Sequence, residues 1–412
     1  VRLSSLDRSA TVVEHRNPVT RERLTNVLEE IDAIGADVDA QPVRTVQRLA
    51  RCGSLLGDDV LYGIGERLAE IEPAEDRAVH LVLQMPRELM RYPWELLRDR
   101  RGWLVERFAI GRQMIAEGDT AFRWTAARRR GPLRLVVFAP SLAGEGAEIA
   151  GVGALEGMHV ASCFERLQER LPGLVDPRNF RKYVDQPMTV DRFRGLIRER
   201  RYDIVHFAGH GRYDPVHPER SCWMFSDGPL YAFELKHTLA NADVIPWLMY
   251  GSACEGARDG KGTEKPTGGY HDGIYGMASA ALGQGVAAYV GPLWKISETD
   301  AKNIAAAFYE ALLLRRTSLG EALSLARRSV KVGEPDLDEL VTRTATGRAD
   351  TELEVPRSAG WTGMVLYGDP TPTVLQRISP SDSGEHVQPV VAQPSRTTSR
   401  ESDGSVSEPV TK

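Results

Sequence analysis

Tyr202-Asp203-Ile204-Val205-His206-Phe207-Ala208-Gly209-His210-Gly211 is followed, after one connecting segment, by Val244-Ile245-Pro246-Trp247-Leu248-Met249-Tyr250-Gly251-Ser252-Ala253-Cys254-Glu255-Gly256. Each stretch is an apolar run, rich in β-branched and aromatic residues, that stops at small residues. This pattern predicts two buried strands whose chain bends sharply at the end. His210 and Cys254 then fall at two strand tips. Ligands of open α/β sheets bind at the carboxyl ends of the strands, so an imidazole and a thiol on adjacent tips make a candidate base and nucleophile.

His206-Phe207-Ala208-Gly209-His210-Gly211 and Ser252-Ala253-Cys254-Glu255-Gly256 resemble the signatures of the CHAT peptidases, a family grouped with the caspases and separases. The caspase pattern Q-A-C-[RQG]-G, with its histidine roughly 50 residues upstream, is close in form. Ser252 stands where that pattern has Gln and Glu255 where it has Arg, so caspase-type specificity does not carry over. The resemblance implies an α/β fold, a caspase-like, mostly parallel sheet flanked by helices. It also implies a cysteine peptidase that needs no cofactor and acts on a protein substrate.

With 412 residues, 42% hydrophobic and 26% charged, the chain has material for one large unit or two ordinary domains and is not a disordered protein. The net charge of −5 gives no general nucleic-acid surface. Neither a run of about 18 apolar residues nor a signal-peptide core is present, so a soluble cytoplasmic protein without membrane contact is expected. Cys52, Cys163, Cys222 and Cys254 are too few and scattered for a disulfide framework or a C-x-x-C metal site. No metal is expected.

Three regions follow from patterning. Residues 1–77 form a small N-terminal helical segment: after an uneven, loosely ordered start, apolar stripes run from Thr20 through Leu24, Val27, Leu28 and Ile31, and return at 43–51 and 58–71. About 75 residues barely bury a core alone, so these stripes should pack on the main body. Residues 78–377 form the peptidase domain, with a front part at 78–130 and a catalytic part at 131–377. Beyond them, 378–412 are rich in Ser, Pro, Thr and Glu without periodicity and read as a disordered tail.

Within the front part, Ala78 to Gln84 reads as a strand, and Pro93 opens a short helix in which Trp94 and Leu97 are core residues. Arg128-Arg129-Arg130-Gly131-Pro132 marks an exposed linker. Leu133 to Ala139 reads as a strand, 146–171 and 189–200 as helices. Ser226-Asp227-Gly228-Pro229 is a turn between short apolar stretches, and Phe233 to Ala240 a short helix. Residues 257–270 form a Gly-, Lys- and Thr-rich loop long enough to cover a cleft. Then come a helix over 276–282, a buried strand over 286–290, and two helices opened by capping boxes at Ser297-Glu298-Thr299-Asp300 and Ser318-Leu319-Gly320-Glu321. Trp361 to Pro370 resembles the family's closing strand.

A cysteine peptidase needs a thiolate, a proton carrier and donors for an oxyanion. Free cysteine, with a pKa of about 8.5, is a few per cent thiolate at neutral pH, and a neighbouring imidazole supplies the base. His210 and Cys254 take these roles. Gly211 leaves its amide uncovered, the amide of Cys254 can point the same way at the bend, and the resemblance implies both as the oxyanion donors. His206 alternates with Val205 and Phe207 and reads as a hydrogen-bonded core residue.

Two alternatives accompany this reading. One is a catalytically silent CHAT-fold scaffold or interaction protein. The other is a metal-dependent hydrolase, since His206 and His210 have the spacing of H-E-x-x-H, although Phe207 replaces its Glu. The family appears in bacterial defence, including antiviral defence, and in programmed-death pathways, attached to or controlled by a sensing module. No sensor motif occurs here, which leaves a separate sensor or regulatory partner, the front helices and processing as routes of control.

Overall fold

A computed structural model describes residues 2–3, 13–14, 21–35, 42–61, 64–71, 78–86, 89–90, 92–114, 132–142, 154–170, 175–212, 217–254, 274–294, 296–330 and 360–374. The linker at 128–131, the loop at 257–270 and the tail at 378–412 lie outside the described residues. The chain divides into two units, Val1–Ile378 and Ser379–Lys412, and every described residue belongs to the first.

Its centre is a ten-stranded sheet. The strands are β1 (Val79–Met85), β2 (Phe108–Met114), β3 (Leu133–Ser141), β4 (Val175–Pro187), β5 (Ile204–Arg212), β6 (Cys222–Phe225), β7 (Gly228–Tyr231), β8 (Leu248–Cys254), β9 (Ala288–Pro292) and β10 (Met364–Gly368). Strands β4, β3, β5, β8 and β9 lie side by side and parallel. Next to β9, β10 runs antiparallel, and β2 and β1 follow it in β10's direction. The sheet is therefore two parallel blocks of opposite direction joined at β9 and β10. The β6–β7 hairpin, turned by Ser226 and Asp227, continues from the end of β5.

Strand β5 is buried from Ile204 to Gly211, which is why it reads as an unbroken apolar run. Burying Ile204, Val205 and Phe207 contributes about 2 kcal/mol each against the unfolded chain. Helices cover both faces. On one lie α4 (Ala154–Arg170), α8 (Glu298–Tyr309, extended by a π-helical turn to Leu314) and α9 (Leu319–Val330). On the other lie α5 (Val190–Glu199), α6 (Ala232–Ala240) and α7 (Ile274–Leu282). Adjacent residues of β5 separate the faces: His206 meets Tyr309 of α8, whereas Phe207 stacks on Trp223, which meets Phe193 of α5. Both serines cap their helices, as Ser297 Oγ accepts from Asp300 N at 3.1 Å and Ser318 Oγ from Glu321 N at 3.2 Å.

The remaining helices are α1 (Arg21–Gly35), α2 (Pro42–Val60) and α3 (Gly65–Glu70). Helix α2 lies on Leu96–Arg98 so closely that a Cβ at Gly53 or Gly57 would stand 2.0 Å from the Leu96 or Arg98 carbonyl oxygen. Only glycine allows that contact. Near the start of the chain, Arg2–Leu3 pairs with Val13–Glu14 in a short ladder, so part of the stretch expected to be loosely ordered is paired.

Strand β4 is absent from the sequence reading. It forms an edge, pairs with β3 alone, and its run Val175-Asp176-Pro177-Arg178-Asn179-Phe180-Arg181 lacks apolar alternation. A bulge-like register shift at Ala139/Pro140 and the positive φ of Asp185 break its regularity further. Only pairing with β3 makes it a strand. The helix expected over 146–171 is described from Ala154 onward.

Candidate active site

The register of β5 and β8 runs in step from Ile204 opposite Leu248 to His210 opposite Cys254. Because the strands are parallel, both tips lie at the same end of the sheet, with backbones about 4.8 Å apart. The two residues proposed from the sequence are thus register partners. The next residue, Gly211, stands opposite Trp223 in the β5–β6 ladder. His210 is 3% exposed.

Lower on the same face of β5 stands His206, fully buried. Its Nδ1 lies 3.1 Å from the Tyr309 hydroxyl, its Nε2 lies 3.4 Å from Glu156 Oε1, and its ring stacks on Tyr250 at 4.9 Å. Burial, reinforced by the Glu156 charge, holds the Tyr309 phenol far above its usual pKa and therefore protonated. Nothing in the sequence links Glu156 and Tyr309, on two helices, to a strand histidine. His206 and His210 lie on a strand, which separates them by about 13 Å and leaves no shared ligand geometry of the H-E-x-x-H kind. Among the described residues, no group of three or more His, Cys, Asp or Glu stands close enough to hold a metal ion.

Of the acidic residues near these stretches, Asp203 belongs to the other end of the sheet. Its carboxylate accepts from Arg134 N at 2.9 Å, and its carbonyl accepts from Trp247 N and Leu248 N, fastening three strand beginnings together. Asp227 accepts from Val190 N at 2.9 Å and helps Thr189 cap α5. Asp203 therefore does not line the tips of β5 and β8. Asp214, Glu255, Asp259 and Glu264 lie outside the described residues.

The other cysteines are buried. Burial pushes the Cys52 thiol up to about 11 and also raises Cys163 and Cys222. None of these three is a ready thiolate. Among the described residues no helix is long and apolar enough to cross a membrane.

The fold is a mostly parallel α/β sheet that brings a histidine and a cysteine into register on adjacent strand tips. The chain belongs to the CHAT domain family, whose model matches residues 58–369. No curated protein matches it. Among solved structures it is similar to the Arg specific cysteine proteinase gingipain R, at 12% identity over 87% of this chain and 80% of that one, with a TM-score of 0.46. It is also similar to a chain of the Saccharomyces cerevisiae separase–securin complex, at 13% identity over 87% and 23% with a TM-score of 0.39. Caspase-1 from Spodoptera frugiperda is similar at 12% identity over 62% and 96%, with a TM-score of 0.33.

Proposed function

We propose that this chain is a cysteine endopeptidase that cleaves a protein substrate through a Cys254–His210 dyad. The observation that supports it most is the register pairing of Cys254 with His210 at one end of the sheet in a member of the CHAT family. His210 takes the thiol proton, and the thiolate attacks the scissile carbonyl carbon. The main-chain amides of Gly211 and Cys254 receive the negative oxygen. His210 then passes its proton to the leaving amine, leaving a thioester. Water, deprotonated by His210, attacks the thioester carbonyl and releases the new carboxyl terminus and the thiol. By family resemblance the setting is a bacterial defence or programmed-death pathway in the cytoplasm, with activity controlled by a separate sensor or regulatory partner.

The test is cleavage of a peptide library by the purified chain, read by mass spectrometry beside Cys254→Ala and Cys222→Ala. The dyad requires that Cys254→Ala cuts nothing, that Cys222→Ala keeps its cleavage pattern, and that chelators have no effect. Equal cleavage by wild type and Cys254→Ala would refute it. A chain that cuts no peptide and forms no adduct with a peptidyl chloromethyl ketone would be a scaffold.

A further inference from the structure

Strand β5 pairs on one side with β8, which carries Cys254, and on the other with β6. In the proposed reaction the acyl part of the substrate stays on Cys254, and the amine departs with the proton of His210. The segment after the cut therefore runs off on the His210 side, toward β6 and β7. Arg212 stands there, exposed, two residues beyond His210 and on the same face of β5. The ladders set Arg212 opposite Cys222, and Cys222 opposite Tyr231. Facing residues of a ladder share one side of the sheet, so Arg212, Cys222 and Tyr231 make a row on the face of His210. Cys222 is fully buried; burial raises its thiol, and the Arg212 charge acting across the ladder partly offsets that rise.

The row ends on an aromatic platform. The half-buried ring of Tyr231 stacks on that of Phe233, with 5.5 Å between centroids and 10° between planes. Phe233, in the first turn of α6, is 45% exposed and stands off the buried stripe of that helix, Ala232, Leu235, Thr238 and Leu239. Single exposed hydrophobic residues are ordinary on a surface. Two coplanar rings in line with a cation and the catalytic histidine form a patterned surface instead. Strand β7 is an edge, but it is blunted against an added strand: Pro229 has no N–H, and Tyr231 N donates to Glu234 Oε2 at 3.0 Å. What it presents is side chains. From Arg212 to Tyr231 is two ladder steps, about 10 Å, a distance that an extended peptide covers in about three residues.

We propose that Arg212 and the Tyr231–Phe233 pair form a docking site for the substrate segment that follows the scissile bond. Arg212 takes an acidic side chain, by charge complementarity, and the stacked rings take an aromatic or leucine side chain about three residues further on. This rests on the peptidase reading of Cys254 and His210, and it adds a preference on the leaving side of the bond.

The experiment takes a peptide that the full chain cuts, sets the six residues after the bond to alanine, and walks an aspartate and a phenylalanine, three residues apart, through those positions. At the best position phenylalanine should raise kcat/KM about tenfold over alanine, the scale of covering one aromatic side chain. Aspartate should add about threefold, the scale of an exposed ion pair, and that gain should fade in high salt. Phe233→Ala should remove the phenylalanine gain and Arg212→Gln the aspartate gain, with thermal unfolding checking that each variant is folded. A second readout is independent of turnover: by fluorescence anisotropy, fluorescein-labelled Ala-Asp-Ala-Ala-Phe-Ala should bind Cys254→Ala protein about tenfold more tightly than Cys254→Ala/Phe233→Ala protein. Cleavage that is indifferent to phenylalanine at all six positions, or a phenylalanine gain that survives Phe233→Ala, would overturn the proposal and leave the peptidase reading intact. Phe233-dependent binding of the hexapeptide by a chain that cleaves nothing would keep the docking site and sink the peptidase reading. No cleavage and no Phe233-dependent binding would overturn both.

Discussion

Three charges are buried where the front of the chain joins the sheet, and their imbalance makes a measurable prediction. Glu95 and Arg112 have side chains with no solvent exposure, and Arg327 is 2% exposed. Arg112 donates to both oxygens of Glu95, with Nε at 3.0 Å from Oε1, and to the Met90 carbonyl at 2.6 Å. Arg327 donates to the Met364 carbonyl, while its Nε and Nη1 have no partner among the described residues. Two guanidiniums thus share one carboxylate. Burial, with Glu95 opposing it and Arg112 adding to it, pushes Arg327 down from its ordinary value to about 10.

At about 1.36 kcal/mol per pH unit, that displacement corresponds to about 3 kcal/mol against the buried charge. The hydrogen bond to Met364 returns about 1 kcal/mol. Arg327→Met should accordingly stabilise the protein by about 2 kcal/mol, in line with other replacements of buried ions by apolar groups of similar volume. Glu95→Gln acts in the opposite direction, because it leaves two buried cations without an anion, at a cost of about 3–5 kcal/mol. Urea unfolding followed by fluorescence, with the slope checked for constancy, measures both. A fall in stability of 1 kcal/mol or more for Arg327→Met, or a neutral Glu95→Gln, would show that the core carries this charge by a means other than the one argued.

Three further outcomes follow. His206→Ala should lower stability by about 1–3 kcal/mol by stranding Glu156 and the Tyr309 hydroxyl, while single-turnover cleavage in the folded fraction changes little; His210→Ala should slow that step by about 10² to 10⁴, and the reverse pattern would exchange the two roles. Iodoacetamide at pH 7.5 should leave Cys52, Cys163 and Cys222 unmodified in the native protein, since burial holds all three thiols up; peptide mapping that finds Cys222 alkylated before Cys254 would contradict this. Burial holds His80 below its ordinary value of 6.5 while its Nε2 bonds Ser318 Oγ at 2.7 Å. Its contribution to stability is complete above that value and is lost as pH falls through the lowered one. The melting temperature should therefore drop less between pH 7.5 and 5 in His80→Gln than in the wild type, and equal drops would remove His80 from the account.

What the sequence determined by itself is local or periodic. Strands β5 and β8 were legible because both faces of a central parallel strand are covered, which writes them as apolar runs, and because Gly209, Gly211 and Gly251 to Ala253 mark their narrow ends. The starts of α8 and α9 were legible because a cap is a contact between Ser297 and Asp300, or Ser318 and Glu321, three residues apart. Tertiary structure decided everything that joins distant segments. It put Cys254 in register with His210, placed Glu156 and Tyr309 around His206, and turned the polar run at Val175–Pro187 into an edge strand. It also moved Asp203 to the far end of the sheet, although seven residues separate it from His210. Sequence distance along a strand is physical distance at about 3.3 Å per residue, whereas proximity between strands and helices depends on packing that no local pattern encodes.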